Sequence, residues 1–208
     1  MHGGSSLQLL NCFSNNTIAG IGGSIYVEYG YEVTASNCTF IKSSGTEKGG
    51  LIYIDILKHF YIENSSSEEC SSAINGVVFI QSEDQNSKFS FYNFIFFRTY
   101  AEKKGSSFYL LSASQFYFEK IEIIENGPIP IFIQWFFPIN VKFNNFIFFN
   151  NSVEGNNLMH IEGINLFVQD CIATKNNATD LFFFKSLNGF FNNVTFKENR
   201  ASSALIYI

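Results

Sequence analysis

One recurring column of asparagines restricts the possible folds more than any other feature. Aligning the chain on Asn145 collects Asn11, Asn37, Asn64, Asn93, Lys120, Asn145, Asp170 and Asn193, separated by 26, 27, 29, 27, 25, 25 and 23 residues. A period in the twenties marks a solenoid, because a single unit of this size cannot bury its apolar face alone and must stack on its neighbours. Eight such units fill the 208 residues, so residues 1–208 are expected to form one repeat domain without an internal boundary.

Within each unit the pattern is that of strands. The positions four and two residues before the column are apolar, as in Val33/Ala35, Phe60/Ile62, Phe89/Phe91, Phe116/Phe118 and Val141/Phe143, with mostly polar residues between them. Alternation at period two is the mark of a half-buried strand. A second short strand follows, with Cys38/Phe40, Phe94/Phe96, Ile121/Ile123 and Phe146/Phe148 on one face. Ser43, Thr99, Asn126, Asn151, Asn176 and Asn199 then suit a turn, since their side chains can bond nearby backbone. A third strand is introduced by small residues, as in Gly22-Gly23-Ser-Ile-Tyr-Val27 and Gly49-Gly50-Leu-Ile-Tyr-Ile54. Three strands in a unit of roughly 25 residues predict an all-β fold, a right-handed single-stranded parallel β-helix of about eight coils. Parallel stacking brings equivalent residues about 4.8 Å apart, so each column becomes a ladder. Asn11, Asn37, Asn64, Asn93, Asn145 and Asn193 are expected to point inward as a hydrogen-bonded asparagine ladder at the first bend.

Two short motifs carry a family resemblance. Phe-x-x-Asn occurs at Phe13 to Asn16, Phe148 to Asn151 and Phe196 to Asn199, and Gly-Gly-x-[Ile/Leu] at Gly22 to Ile25 and Gly49 to Ile52. In these the chain resembles, over essentially its whole length, the repeats of the chlamydial polymorphic outer membrane proteins and related protist surface proteins. Those belong to the pectin-lyase-like right-handed β-helix class. The resemblance implies a surface protein built on that fold.

Charge and composition remove several classes. The net charge is −5, and the two arginines and eleven lysines are scattered, so there is no basic stripe for nucleic acid. No apolar run reaches the roughly 18 residues of a membrane span, and Met1 to Ser6 does not read as a signal peptide. Taken literally this describes a cytosolic chain. Six Asn-x-Ser/Thr sequons, at Asn15, Asn37, Asn64, Asn150, Asn177 and Asn193, point instead to an extracellular or cell-surface glycoprotein, although Asn37, Asn64 and Asn193 lie in the ladder column and would be buried. Both are reconciled if the chain is an uncapped piece of a longer solenoid in a secreted or membrane-anchored parent protein, stacked on further coils of the same chain. Of the four cysteines, Cys12, Cys38 and Cys171 occupy apolar positions and are expected to be inert core thiols.

Candidate chemistry is sparse. Tyr26, Tyr53, Phe79, Leu110, Phe132, His160, Phe183 and Tyr207 form one column of the third strand. Facing outward it would stack sugar rings or a partner; facing inward it would be core. Tyr26 and Tyr53, together with Trp135 and Phe136 at a proline-rich defect in the fifth unit, are the possible ligand face. Beside the aromatic column runs a polar one: Glu28, Asp55, Gln81, Ser112, Gln134, Glu162 and Lys185. Glu28 and Asp55 would either hold a hard cation such as calcium or form a solvated edge. His2, His59 and His160 fall on different coils without metal-ligand spacing, so neither a metal nor a cofactor is expected. Polysaccharide lyases and hydrolases of this fold gather acids and bases on adjacent coils, whereas only four aspartates and two arginines occur here. The expected function is therefore a non-catalytic structural module for adhesion or display, with glycans or surface proteins as partners and no catalytic residue. A carbohydrate-binding module is the alternative, ahead of a lyase or hydrolase.

Overall fold

Each strand pairs in parallel with its counterpart one repeat later, so the chain is held together by neighbour-on-neighbour stacking. The computed structural model describes residues 5–82, 84, 86–112, 115–134, 140–153, 155–162, 165–185 and 188–207. Among them there is no helix, and the stacked strands form a parallel β-solenoid of about seven turns. No helix among the described residues is long and apolar enough to cross a membrane.

Each turn has three sides. The first and second are one continuous ten-residue strand bent in its middle, as in Lys88–Phe97, Gln115–Ile124, Asn140–Phe149, Asn165–Thr174 and Asn188–Lys197. The third comprises Val78–Ser82, Phe108–Ser112, Ile131–Gln134 and Met159–Glu162. In the early turns the corners are drawn tight enough for strands to run on, so that Ile52–Glu68 covers all three sides. The register is that of the sequence columns: Phe89 pairs with Phe116, Phe116 with Val141 and Val141 with Leu166. Where Ser65 and Ser67 interrupt the apolar second side they remain buried, and Ser65 Oγ bonds the Cys38 N–H and the Glu63 carbonyl.

Phenylalanine fills the interior. Phe60, Phe89, Phe91, Phe94, Phe96, Phe108, Phe116, Phe118, Phe143 and Phe146 are all fully buried in one continuous core. At about 1.5–3 kcal/mol for each large apolar side chain withdrawn from water, this core supplies the main drive to stack. Cys38, Cys70 and Cys171 lie in it as free thiols and Cys12 at its edge. Burial pushes the Cys171 thiol up to about 12 and that of Cys70 to about 11.

The bends correct one expectation. Asn11, Asn37, Asn64, Asn93, Asn145 and Asn193 do not point inward: each sits at the first bend with φ between 47° and 54°, and each side chain is exposed. Asparagine recurs because it tolerates the left-handed region better than other residues with a side chain. Some neighbours do bond along the outside, Asn37 to Asn11 at 3.3 Å, Asn93 to Asn64 at 2.8 Å and Asn193 to Asp170 at 2.6 Å. The inward ladder lies at the second bend, on residues read from sequence as simple turn formers. Asn126, Asn151 and Asn176 are buried. Asn151 Oδ1 accepts the Asn126 N–H at 2.8 Å, while its Nδ2 donates to the Ile123 carbonyl at 3.0 Å and to Asn176 Oδ1 at 2.9 Å. Asn176 and Asn199 continue the same pattern, and in the first turns hydroxyls replace it, with Thr17, Ser24 and Ser43 mutually bonded at 2.6–3.1 Å.

At the third bend the paired glycines have separate causes. Gly49 has φ +61°, and a Cβ on Gly50 would collide with the Ser71 carbonyl, so one glycine supplies a conformation and the other a close approach.

Candidate functional site

The third side presents the aromatic column to the outside. Tyr26, Tyr53, Phe79, Tyr109, Phe132, His160, Phe183 and Tyr207 pair in register through all eight repeats, while Ile54, Ile80, Leu110 and Ile133 point into the core. The position assigned from sequence to Leu110 thus belongs to Tyr109, and Leu111 takes the place given to Ser112 in the polar column. The slip is one residue, because Gly105 and Ser106 are the equivalents of Gly49 and Gly50. Gly105 carries the positive φ, +69°.

The rings form one stack. Tyr26 and Tyr53 lie 5.3 Å apart with planes 9° from parallel, Tyr53 and Phe79 5.3 Å and 3°, and Phe183 and Tyr207 5.0 Å and 6°. Faces turned toward one another along the solenoid are occupied by the neighbouring ring, and of the column only Tyr26 and Tyr207, at its two ends, are exposed. A sugar stacks on a ring face, so the interior of this column cannot serve as a sugar platform along its length. The middle is covered as well: Phe79, Tyr109 and Phe132 cluster with Ile129, Lys48 Nζ lies 4.9 Å from the Phe79 ring centre and Lys104 Nζ 4.2 Å from that of Phe132. Ile129 adopts φ 43°, costly for a β-branched residue, and its side chain is buried against these rings. Tyr26 remains 52% exposed and Tyr53 is half-buried. Trp135 and Phe136, the other two residues of the expected ligand face, lie outside the described residues.

His160 is the one ionisable ring in the stack apart from the tyrosines, 4.9 Å from Phe132 and 4.6 Å from Phe183. Its Nε2 lies 2.9 Å from Glu162 Oε1, a contact that lowers the pKa of the Glu162 carboxyl. His59 packs edge-on against Tyr31, far from His160. Among the described residues no three of His, Cys, Asp and Glu gather where they could hold a metal ion.

The polar column brings Glu28 beside Asp55 at the corner of the first two turns. Glu28 accepts the Tyr26 hydroxyl at 3.3 Å. Burial, and then the Glu28 and Asp55 charges, raise the pKa of the Tyr26 and Tyr53 phenols. A cavity of about 500 Å³ adjoins this corner, lined by Asp55, Ile56, Gln81, Ser82 and Asp84. Asp84 is bonded by Lys58 Nζ at 2.6 Å, which lowers its pKa.

A second recess of about 550 Å³ lies on the opposite corner, lined by residues that include Arg98, Tyr100, Glu125, Gly127 and Asn150. The left-handed residues of the second bend are Asn16, Lys42, Glu69, Arg98, Glu125, Asn150, Lys175 and Glu198, so charges of opposite sign alternate up the corner. Lys42 pairs with Glu69 at 3.6 Å and Arg98 with Glu125 at 2.8 Å. The guanidinium lowers the pKa of the Glu125 carboxyl and is itself raised by it. Above Gly127 lies the Tyr100 ring, occupying space that a Cβ would need. Sequence reasoning missed this corner, although its signal, a column of mostly charged residues of alternating sign five residues after the asparagine column, was present.

Comparison with known proteins finds no matching family model, no matching curated protein and no matching solved structure. The resemblance to chlamydial and pectin-lyase-like repeats gains no support beyond the parallel β-solenoid itself.

Proposed function

We propose that the chain is a non-catalytic surface module, a section of β-solenoid that carries adhesive or displayed surface in a larger secreted or membrane-anchored glycoprotein. One observation carries this reading. The side chains of all six sequon asparagines, Asn15, Asn37, Asn64, Asn150, Asn177 and Asn193, are exposed, and none of the buried asparagines Asn126, Asn151 and Asn176 is in a sequon. The burial expected for Asn37, Asn64 and Asn193 does not occur, so glycans at all six can be accommodated without opening the core. The glycosylatable positions sit at or beside the first two bends, which leaves the third side bare for a partner. The acids follow the same logic: Asp170 receives Asn193 Nδ2 and Asp180 receives the Ala204 N–H, so both are structural.

An antiserum raised against the chain should stain intact cells of its source, and peptides from the native protein should carry hexosamine at Asn37, Asn64 and Asn150. Staining only after permeabilisation, with all six asparagines unmodified, would sink the reading.

The second reading, a glycan-binding module, is favoured by the Tyr100 recess. Tyr100 is 48% exposed there, beside a guanidinium, a carboxylate and an amide, the kind of ring and polar fringe that recognises a sugar. Loss of oligosaccharide binding in Tyr100→Ala with the fold intact would favour it.

A further inference from the structure

The corner of the first two turns combines features that neither a solvated edge nor a core accounts for. Tyr29 and Ile56 stack in register, yet they are 70% and 48% exposed. Beside them lie Glu28 and Asp55, neither of which forms an ion pair among the described residues. The nearby cations are committed elsewhere: Lys58 to Asp84, and Lys48 over the Phe79 ring. In the adjoining cavity of about 500 Å³, Ser82 Oγ is buried and makes no hydrogen bond among the described residues. The surface is thus apolar outside and acidic at the mouth, with one unpaired hydroxyl buried among the lining residues.

We propose that this corner docks a basic protein segment, one arginine of which enters the cavity beside Asp55. Three observations select arginine. Guanidinium carries five N–H donors and no acceptor, matching a lining that includes the Asp55 carboxylate and the Gln81 amide. Being weakly hydrated and planar, it tolerates the partly apolar rim of Tyr29 and Ile56 better than an ammonium does. A divalent cation is disfavoured because it takes six or more oxygens, and among the described residues no three carboxylates gather at this corner. The exposed Tyr29 and Ile56 in turn need apolar residues next to that arginine, which a peptide supplies and a free ion does not. The Glu28 and Asp55 charges, which after burial raise the pKa of the Tyr26 and Tyr53 phenols, act at the same corner.

The proposal rests on the surface-module reading for its setting only, and its test does not depend on where the protein resides. The full chain, labelled with nitrogen-15, is titrated at low salt with acetyl-Gly-Leu-Arg-Leu-Gly-amide and with the same peptide carrying citrulline, which keeps the shape and loses the charge. The arginine peptide should shift the amide signals of Tyr29, Asp55, Gln81 and Ser82, and citrulline should bind about ten-fold more weakly. Asp55→Asn and Tyr29→Ser, both at exposed or half-exposed positions, should each weaken binding about five-fold with unchanged spectra elsewhere. Glu102→Gln, an exposed acid away from the corner, should leave it unchanged. Equal binding of the two peptides, no shifts up to about 5 mM peptide, which is weaker than any useful docking contact, or equal loss in Glu102→Gln and Asp55→Asn would overturn the proposal. So would a calcium-induced rise in melting temperature that Asp55→Asn abolishes, since that assigns the cavity to a metal.

Discussion

At the first bend and at the second, five residues later in every repeat, the backbone takes the same left-handed step, but the side chains do opposite work. At the first bend the left-handed residue is asparagine in six of eight repeats and faces solvent, and the residue after it (Phe94, Ile121, Phe146 or Cys171) is apolar and buried. At the second bend the left-handed residue is usually charged, and the residue after it (Asn126, Asn151 or Asn176) is polar and buried. The difference follows from where the strand stops. Through the first bend the ten-residue strand continues, and adjacent turns keep exchanging backbone hydrogen bonds. At the second bend the strand ends, and a side-chain amide takes over the missing rung: its oxygen accepts the ladder N–H one turn back and its nitrogen donates to a carbonyl of that turn. Asparagine is thus chosen for its φ at one corner and for its amide at the other.

Substitutions should separate the two roles. The largest effect is expected from Asn151→Leu, which leaves the Asn126 N–H and the Ile123 carbonyl unpaired inside the core. Chemical denaturation should register a loss of about 3 kcal/mol, and Asn151→Gly should be as damaging. Next, Asn145→Leu should cost only about 1 kcal/mol, the strain of a bulky residue in the left-handed region, and Asn145→Gly should be within about 0.5 kcal/mol of the parent. If Asn145→Leu proved worse than Asn151→Leu, the assignment of roles would be reversed. A smaller and opposite change is expected at Lys175, where φ is 56°: Lys175→Asn should gain about 0.5 kcal/mol in the same assay by relieving that strain.

The last effect appears only at alkaline pH. Cys171 lies on the short wall between the bends, and burial raises its folded pKa from 9.0 to about 12. A thiol whose pKa is higher in the folded state contributes stability that is present below its unfolded pKa and is lost as pH rises through the folded one. Melting temperature should therefore fall between about pH 9 and 12, and Cys171→Ala should flatten that fall even though it lowers stability at pH 7. An unchanged slope in the variant would remove Cys171 as its cause.

The walls of the solenoid are legible in the sequence because each column repeats: Phe89, Phe116, Val141 and Leu166 stand out as equivalents by spacing alone, and they pair in that order. The direction of the ladder is read wrongly from the column alone, though the signal is there. Period two carried on from Val141 and Phe143 would put Asn145 inside, but the next apolar positions are Phe146 and Phe148, one residue out of phase. A phase break in a strand places a bend at the break, and the residue at the bend is the one turned out. The same count after Phe148 leads to Asn151 as the next inward side chain. The aromatic column is visible as a column but not as a stack, because composition cannot say whether rings turn faces or edges to the solvent. The basic-segment corner is half legible. Glu28 beside Asp55 follows from the repeat, whereas the exposure of Tyr29 and Ile56 and the orphan hydroxyl of Ser82 depend on how the neighbouring turns close over them.

The inner asparagines also order events in time. The Asn126 N–H is satisfied by Asn151, that of Asn151 by Asn176, and that of Asn176 by Asn199, always a residue made later on the ribosome. A newly synthesised turn cannot complete its own hydrogen bonding and remains provisional until its successor has been laid down. Stability in such arrays comes from nearest-neighbour contacts, and here the contact has a direction, so folding should trail synthesis by one turn along this stretch. A ribosome stalled just after Asn151 has left its exit tunnel would hold a chain in which the turn of Asn126 is closed and the turn of Asn151 is still waiting.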